Sequence, residues 1–189
     1  MSGFETPAVR PLPVPDLDRA ALRQSRLHRL RATMVEDGLA ALVLTNPLSI
    51  RYATDYRAYA LFQSHIPSAY LFVPAEGPVI LFGAYVDDGP AAGADGGATI
   101  DETRPSHAPT AFDAGLDMKQ ASIRWVHDIR RCLHESGLGP NPVVGVERLL
   151  PTTLGALTAS GVAVVDGEPT VELSRSRKSA LELQAMDFS

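Results

Sequence analysis

The side chains best suited to chemistry lie together in one short stretch, residues 51 to 65. They can hydrogen-bond, pair with an anion or stack on a flat ligand, and they are Arg51, Tyr52, Asp55, Tyr56, Tyr59 and His65. The stretch follows Asn46-Pro47, which ends an apolar run, so we expect a loop that holds these side chains at a surface. Two interpretations remain open: the wall of a ligand pocket, or a packing loop with a structural Arg51–Asp55 pair.

The histidines and the single cysteine form no catalytic or metal-binding set. His127 and His134 lie on one predicted helix, about 10.5 Å apart along its axis, which is too far for one ion. His107 lies in a predicted loop without a ligand-like neighbour, and Cys132 is expected to be a small buried group rather than a nucleophile. The motifs HExxH, CxxC and GxSxG do not occur. We therefore predict neither a catalytic residue nor a bound metal for this chain.

Composition argues against several classes of partner. The chain has 189 residues and a formal net charge of −5, so we expect no nucleic acid and no anionic membrane surface as its partner. Its apolar runs are far too short to span a bilayer. One cysteine cannot form an internal disulfide, which fits a cytoplasmic protein.

Charge is distributed unevenly along the chain. Residues Arg19 to Arg31 include five arginines and no acid, whereas Asp87 to Asp117 include seven acids and one arginine. One interpretation is a solvated helix face and an acidic surface loop. The other is a pair of complementary patches that meet across a subunit interface.

Apolar patterning predicts the elements that must position the 51–65 stretch. A helix is expected from Asp16 to Asp37, because Leu27, Leu30 and Met34 form one stripe and Gly38 stops it. Strands are predicted at residues 39–45, 68–73, 79–82, 143–146 and 162–165, and further helices at residues 121–136 and 150–159. This order predicts an α/β fold of three layers, with a mixed β-sheet flanked by helices.

The pattern also predicts how the chain is divided. Residues 1–15 are a proline-rich, extended lead-in, and residues 16–170 form the folded domain. Residues 171–189 are a connector followed by the start of another helix, at Lys178 to Phe188. A single short helix is marginal in water, so we expect it to belong to something that the chain lacks, as the first helix of an absent further domain.

Two motifs resemble one known family. Gly38-Leu-Ala-Ala-Leu-Val-Leu-Thr45 followed by Asn46-Pro-Leu-Ser-Ile-Arg-Tyr-Ala-Thr-Asp-Tyr56 is similar to the N-terminal domain of the creatinase, prolidase and aminopeptidase P family, and Val171 to Met186 looks like that family's connector. The resemblance spans about residues 26 to 186. Within the family, residues 50–55 and the Gln63-x-His65-x-Pro67 that follows look most like the dimethylsulfoniopropionate lyase branch.

The resemblance implies a role beside an active site rather than in it. Such proteins have a ribonuclease-H-like N-terminal domain that mediates dimerisation, and a C-terminal "pita-bread" domain that binds a divalent metal pair (Mn, Zn, Fe or Co). The resemblance implies that this chain has no cofactor of its own. It also implies that the chain is the N-terminal dimerisation and substrate-gating domain of a metal-dependent Xaa-Pro peptidase-like hydrolase or related lyase. The expected partners are a second copy, as a homodimer, and the catalytic domain. The six residues named first are then substrate-binding candidates, possibly for the partner subunit's site. The alternative is a free-standing interaction module that dimerises without catalysis.

Overall fold

The arginine-rich segment forms the first helix of the computed structural model, which describes residues 17–56, 68–83 and 99–187. Helix α1 spans Arg19–Glu36, and the Asp18 side chain caps it by accepting the N–H of Ala21. At its end the N–H of Leu39 donates to the Met34 carbonyl, with Gly38 at φ 71° between them. That left-handed conformation favours glycine, so the stop predicted at Gly38 is confirmed.

Six strands of the described residues form one mixed sheet. They are β1 Ala41–Leu44, β2 Tyr70–Pro74, β3 Ile80–Gly83, β4 Glu102–Pro105, β5 Val143–Val146 and β6 Ala163–Asp166. Their spatial order is β4-β3-β2-β1-β5-β6. Strand β1 pairs antiparallel with β2 and parallel with β5, while β3–β4 and β5–β6 are parallel. The motif that follows β1 therefore leaves from the centre of the sheet.

Side chains alternate between two apolar clusters, one on each face of the sheet. On β1, Leu42 and Leu44 belong to the cluster under α1, whereas Ala41 and Val43 belong to the cluster on the opposite face. The remaining helices are α2 Pro47–Thr54, α3 Ala111–Ala114, α4 Met118–Glu135, α5 Pro151–Ala159, α6 Glu168–Ser176 and α7 Ala180–Met186. Core residues of α1, α2 and α6 join the first cluster, and those of α4 and α5 join the second. The three-layer α/β prediction is confirmed.

Three local predictions were wrong. The residues after Asn46, expected to be a loop, begin with α2, because an asparagine cap and a proline in the first turn are also helix-start signals. The acidic stretch contains β4 and α3, which no apolar pattern marks. The polar connector contains α6, whose Thr170, Val171 and Ser174 are buried.

The last helix has a partner within the chain. Helix α7 begins with a capping box, in which Ser179 and Glu182 bond each other's main-chain N–H. The Glu182 carboxylate also pairs with Arg26 and Arg29 of α1, at 3.1 and 2.8 Å. Helix α7 therefore contacts α1 through these ion pairs, and its assignment as the first helix of a domain that the chain lacks stays a prediction. The view of α1's arginines as a solvated face was wrong. No helix in the described part of the chain has both the length and the apolar character that crossing a bilayer requires. The proline-rich lead-in lies outside the described residues.

Candidate functional site

The Asn46–Tyr56 motif folds as a short helix with defined ends. The Asn46 side chain caps α2 by accepting the N–H of Leu48 at 3.1 Å, and Pro47 occupies the first turn. Helix α2 ends at Thr54, after which Asp55 adopts a left-handed conformation with φ 56°. This conformation is strained for a residue other than glycine, so neighbouring contacts must hold it in place.

A buried carboxylate, which the sequence analysis missed, lies beneath the start of α2. Glu147 follows β5 directly and is 1% exposed. Its Oε2 accepts the main-chain N–H groups of Thr45 and Asn46 at 3.1 and 3.0 Å, and its Oε1 accepts the Ser49 hydroxyl at 2.6 Å. The Thr45 hydroxyl donates in return to the Glu147 carbonyl, at 2.9 Å. One side chain thus joins the ends of two parallel central strands to the first turn of α2.

Burial and hydrogen bonding act on Glu147 in opposite directions. Loss of water disfavours the charged form, and this dominant effect raises the pKa of the carboxyl group above its usual value. The hydroxyl of Ser49 and the N–H groups of Asn46 and Thr45 favour the charged form and offset part of the increase. The only sequence signal for this residue is an acid placed directly after an apolar strand.

Tyr52 is oriented into the protein. Its hydroxyl donates to the Ser174 carbonyl of α6 at 3.1 Å, and the Arg26 guanidinium lies 5.5 Å from its ring centroid. Burial raises the pKa of this phenol, and the nearby Glu182 carboxylate raises it further. In this arrangement Tyr52 joins α2 to α1 and α6 and is 8% exposed.

Asp55 is also held from within. The Nε and Nη2 atoms of Arg23, on α1, donate to its Oδ2 at 3.3 and 3.2 Å. Both side chains are largely buried, at 8% and 13% exposure. The partner in this ion pair is thus Arg23, whereas the structural alternative in the sequence analysis paired Asp55 with Arg51.

The other candidates differ in how far they reach solvent. Arg51 is exposed on α2, and Tyr56 is half-buried, with a phenol pKa that burial raises. Tyr59 and His65 lie outside the described residues. The structure therefore brings Arg51, Tyr52, Asp55 and Tyr56 onto α2 and its end, with Arg51 the most accessible of the four. Their assignment as substrate-binding residues stays a prediction.

His107 pairs with an acid, and Cys132 is buried. His107, which was expected to lack a ligand-like neighbour, lies 2.7 Å from the Asp128 carboxylate through its Nδ1. Cys132 is buried, and burial raises the pKa of its thiol to about 12, so its interpretation as a small buried group is confirmed. Among residues 17–56, 68–83 and 99–187, no three histidine, cysteine or acidic side chains are grouped so as to hold a metal ion.

Similarities to known sequences agree with this geometry. The family described as "Creatinase/Prolidase N-terminal domain" matches residues 26–176. Dimethylsulfoniopropionate lyases of Roseobacter denitrificans and Roseovarius nubinhibens are 30% and 29% identical to the chain over 175 residues, which is 93% of this chain. The chain spans 38% of the length of each of these relatives.

Solved structures show the same fold at lower identity. An Xaa-Pro aminopeptidase P from Streptococcus thermophilus superposes with a TM-score of 0.55 at 19% identity, covering 81% of this chain and 98% of that one. The N-terminal domain of peptidase PepQ from Mycobacterium tuberculosis superposes with a TM-score of 0.52 at 18% identity. This match covers 80% of this chain and 98% of that one. A dipeptidase from Pyrococcus horikoshii superposes with a TM-score of 0.55 at 16% identity, and the match covers 85% of this chain and 39% of that one.

Proposed function

The chain belongs to the creatinase/prolidase N-terminal domain family, and from this premise we propose that it is the dimerising, substrate-gating domain of a metal-dependent enzyme. Of the two enzyme classes that the family suggests, we favour a lyase acting on dimethylsulfoniopropionate over an Xaa-Pro peptidase-like hydrolase. The observation that carries this choice is the identity of 30% to such a lyase across 93% of the chain. The structures of peptidases similar to this chain support the fold alone.

The contacts of α2 support a positioning role for this domain. Helix α2 is fixed at its start by Glu147, in its middle by Tyr52 and at its end by the Arg23–Asp55 pair. A helix held at three points keeps Arg51 in one place at the surface. A fixed guanidinium is suited to a carboxylate, a group that dimethylsulfoniopropionate and dipeptides share. We propose that Arg51 binds this carboxylate and that Tyr56 limits the space beside it.

The chemistry itself is assigned to a separate domain. The described residues gather no metal-binding set, so the divalent metal pair expected for the family does not fit this part of the chain. Such a metal pair, when bound in the catalytic domain, would supply a Lewis acid. Elimination of dimethylsulfoniopropionate breaks the carbon–sulfur bond and removes a proton from the adjacent carbon, which leaves dimethyl sulfide and acrylate.

The test begins with the reading frame beyond the codon for Ser189 and continues with the whole gene product. We expect the full-length protein to release dimethyl sulfide from dimethylsulfoniopropionate, measured by gas chromatography, and the 189-residue chain to release none. Arg51→Ala should raise KM at least several-fold with a smaller change in kcat. Arg130→Ala, which removes another exposed arginine from α4, is the matched control.

Three results would change the proposal. Hydrolysis of an Xaa-Pro dipeptide without lyase activity would mean that the substrate is a peptide and not dimethylsulfoniopropionate. Equal KM values for the Arg51 and Arg130 variants would remove Arg51 from the site. A reading frame that stops after Ser189 would favour a free-standing interaction module instead.

A further inference from the structure

The two central parallel strands end at a point where the chain diverges. Strands β1 and β5 are parallel neighbours. After β1 the chain continues through α2, which joins the first apolar cluster, and its next strand is β2. After β5 it continues through α5, which joins the second cluster, and its next strand is β6, on the other side. Such a divergence leaves a crevice outside the carboxyl ends of the strands, which is where α/β sheets bind ligands.

A cavity of about 30 Å³ lies at this crevice. Thr45 lines it from the end of β1, and Arg148 and Leu150 line it from the segment after β5. Tyr70 and Trp125 complete its inner wall and are 1% and 2% exposed. The space has room for about two waters, or for the apolar end of a ligand of similar size.

The hydroxyl groups that line the cavity already donate within the protein. The Thr45 hydroxyl donates to the Glu147 carbonyl at 2.9 Å, and those of Thr110 and Tyr70 donate to carboxylates. A hydroxyl has one hydrogen to donate. None of the three is therefore available as a donor to a negatively charged ligand.

Arg148 supplies the positive charge of the cavity. It is exposed, and within residues 17–56, 68–83 and 99–187 it takes part in no ion pair or side-chain hydrogen bond. Its main chain has φ 40°, a left-handed conformation that is unfavourable for a residue other than glycine. The fold thus keeps an available guanidinium beside the cavity at a position where glycine would be less strained.

These features select one class of ligand. The planar fork of a guanidinium matches the two oxygens of a carboxylate, and the buried aromatic wall suits a short hydrocarbon end. Two acids lie at the same edge of the sheet, Glu147 after β5 and Asp166 at the end of β6. Their repulsion disfavours a dianion such as phosphate.

We propose that this cavity binds a short aliphatic monocarboxylate, with its hydrocarbon end against Trp125 and its carboxylate on Arg148. Arg51 is not among the described residues that line the cavity. The inference therefore goes beyond the proposed function and does not depend on it.

The single tryptophan of the chain makes the site directly observable, because one indole N–H signal reports on this cavity. The ¹⁵N-labelled 189-residue chain is titrated with propionate at constant ionic strength, and the Trp125 indole cross-peak is followed by NMR. We expect a shift that saturates with a Kd on the order of 1–10 mM, since a ligand of so few atoms binds weakly. Propionamide, which has the same shape without the charge, is the control ligand and should cause no saturating shift. Inorganic phosphate should bind more weakly than propionate.

Substitutions of Arg148 separate binding from folding. Arg148→Gly removes the guanidinium and relieves the main chain, so the saturating shift should disappear while Tm stays unchanged or rises by up to about 4 °C. Arg148→Lys should weaken binding several-fold, because an ammonium group lacks the fork. Arg130→Ala, which removes an exposed arginine from α4, is the matched control and should bind propionate as the wild type does.

Four results would overturn the inference or one of its parts. A shift that stays linear in propionate, or one that saturates equally in Arg148→Gly, would remove the site. An equal response to propionamide would remove the role of the charge. Phosphate binding as tight as that of propionate would overturn the choice of a monocarboxylate. A Tm lowered by several degrees in Arg148→Gly would mean that Arg148 serves the fold and is not a binding residue.

Discussion

Replacement of Glu147 separates the hydrogen bonds of this side chain from its charge. Glu147→Gln keeps the shape and keeps an acceptor for the N–H groups of Thr45 and Asn46, while the new amide N–H can donate to the Ser49 hydroxyl. Glu147→Leu has a similar volume and no polar atom. We expect the glutamine variant to fold with nearly wild-type stability and the leucine variant to be clearly destabilised.

The magnitude follows from the donors that leucine leaves without a partner. Two main-chain N–H groups and one hydroxyl surround a side chain that is 1% exposed. A buried donor left unsatisfied costs about 1–3 kcal/mol, and some of these groups regain bonds to water that enters. We expect Glu147→Leu to lower the free energy of unfolding by about 2–5 kcal/mol, and Glu147→Gln by about 1 kcal/mol or less.

The pH dependence provides a second measurement on the same variants. The pKa of Glu147 is raised in the folded protein, so its contribution to stability is fully present below the unfolded pKa of about 4.3 and is lost as pH rises through the folded value. Glutamine does not titrate. The stability of Glu147→Gln relative to wild type should therefore increase as pH rises above about 4.3.

Urea denaturation followed by circular dichroism gives these free energies, with equal m-values as the check that both variants unfold from the same native state. The reasoning is refuted if leucine is tolerated as well as glutamine. It is refuted equally if the glutamine and wild-type curves stay parallel over that pH range.

Three further perturbations test other contacts. Glu182→Gln should lower the free energy of unfolding by about 1–3 kcal/mol at pH 7. Because the pKa of Glu182 is lowered in the folded protein, this difference should shrink as pH falls through the folded value. Thermal melts at several pH values measure it. Gly145→Ala should lower the free energy of unfolding by about 1–3 kcal/mol, since the added Cβ would lie 2.6 Å from the Leu42 side chain. Gly155→Ala on α5 meets open space and should raise it by up to about 1 kcal/mol. Equal effects of the two substitutions in urea denaturation would contradict this. Tyr52→Phe should cost about 0.5–1.5 kcal/mol through its lost bond to Ser174, and a Tm equal to wild type would show that the bond contributes nothing.

Local signals in the sequence were enough to predict most of the fold. The glycine-terminated α1 and the short apolar strands β1, β5 and β6 could be identified because each is marked by neighbouring residues, although the cap of α1 is Asp18, whereas the helix was expected to start at Asp16. The two faces of the sheet could not be assigned in advance, since a continuous apolar strand gives no alternation to read. Strand β4 was missed because its residues Glu102 to Pro105 carry no apolar pattern and become a strand through pairing with β3.

The candidate site was less predictable because its contacts join distant parts of the chain. Asp55 meets Arg23 across 32 residues, Glu147 meets Thr45 across 102, and Glu182 meets Arg29 across 153. No periodicity within one element reveals such pairs. The sequence therefore indicated a candidate segment, while the structure showed that Tyr52 and Asp55 are already engaged within the chain and that Arg51 is exposed.

The bond between Glu147 and the start of α2 also imposes an order on events during synthesis. Thr45 and Asn46 precede their carboxylate by 102 and 101 residues, which at about 5–20 residues per second means that they emerge about 5–20 s earlier. Until Glu147 is made, these N–H groups bond water. Strand β1 then has a free edge on the side that β5 will occupy, while the β2–β3 hairpin has already been made. The nascent chain thus passes through an interval in which four of the six described strands, β1 to β4, have been made while β1 is uncovered on one side, and the arrival of β5 closes that interval.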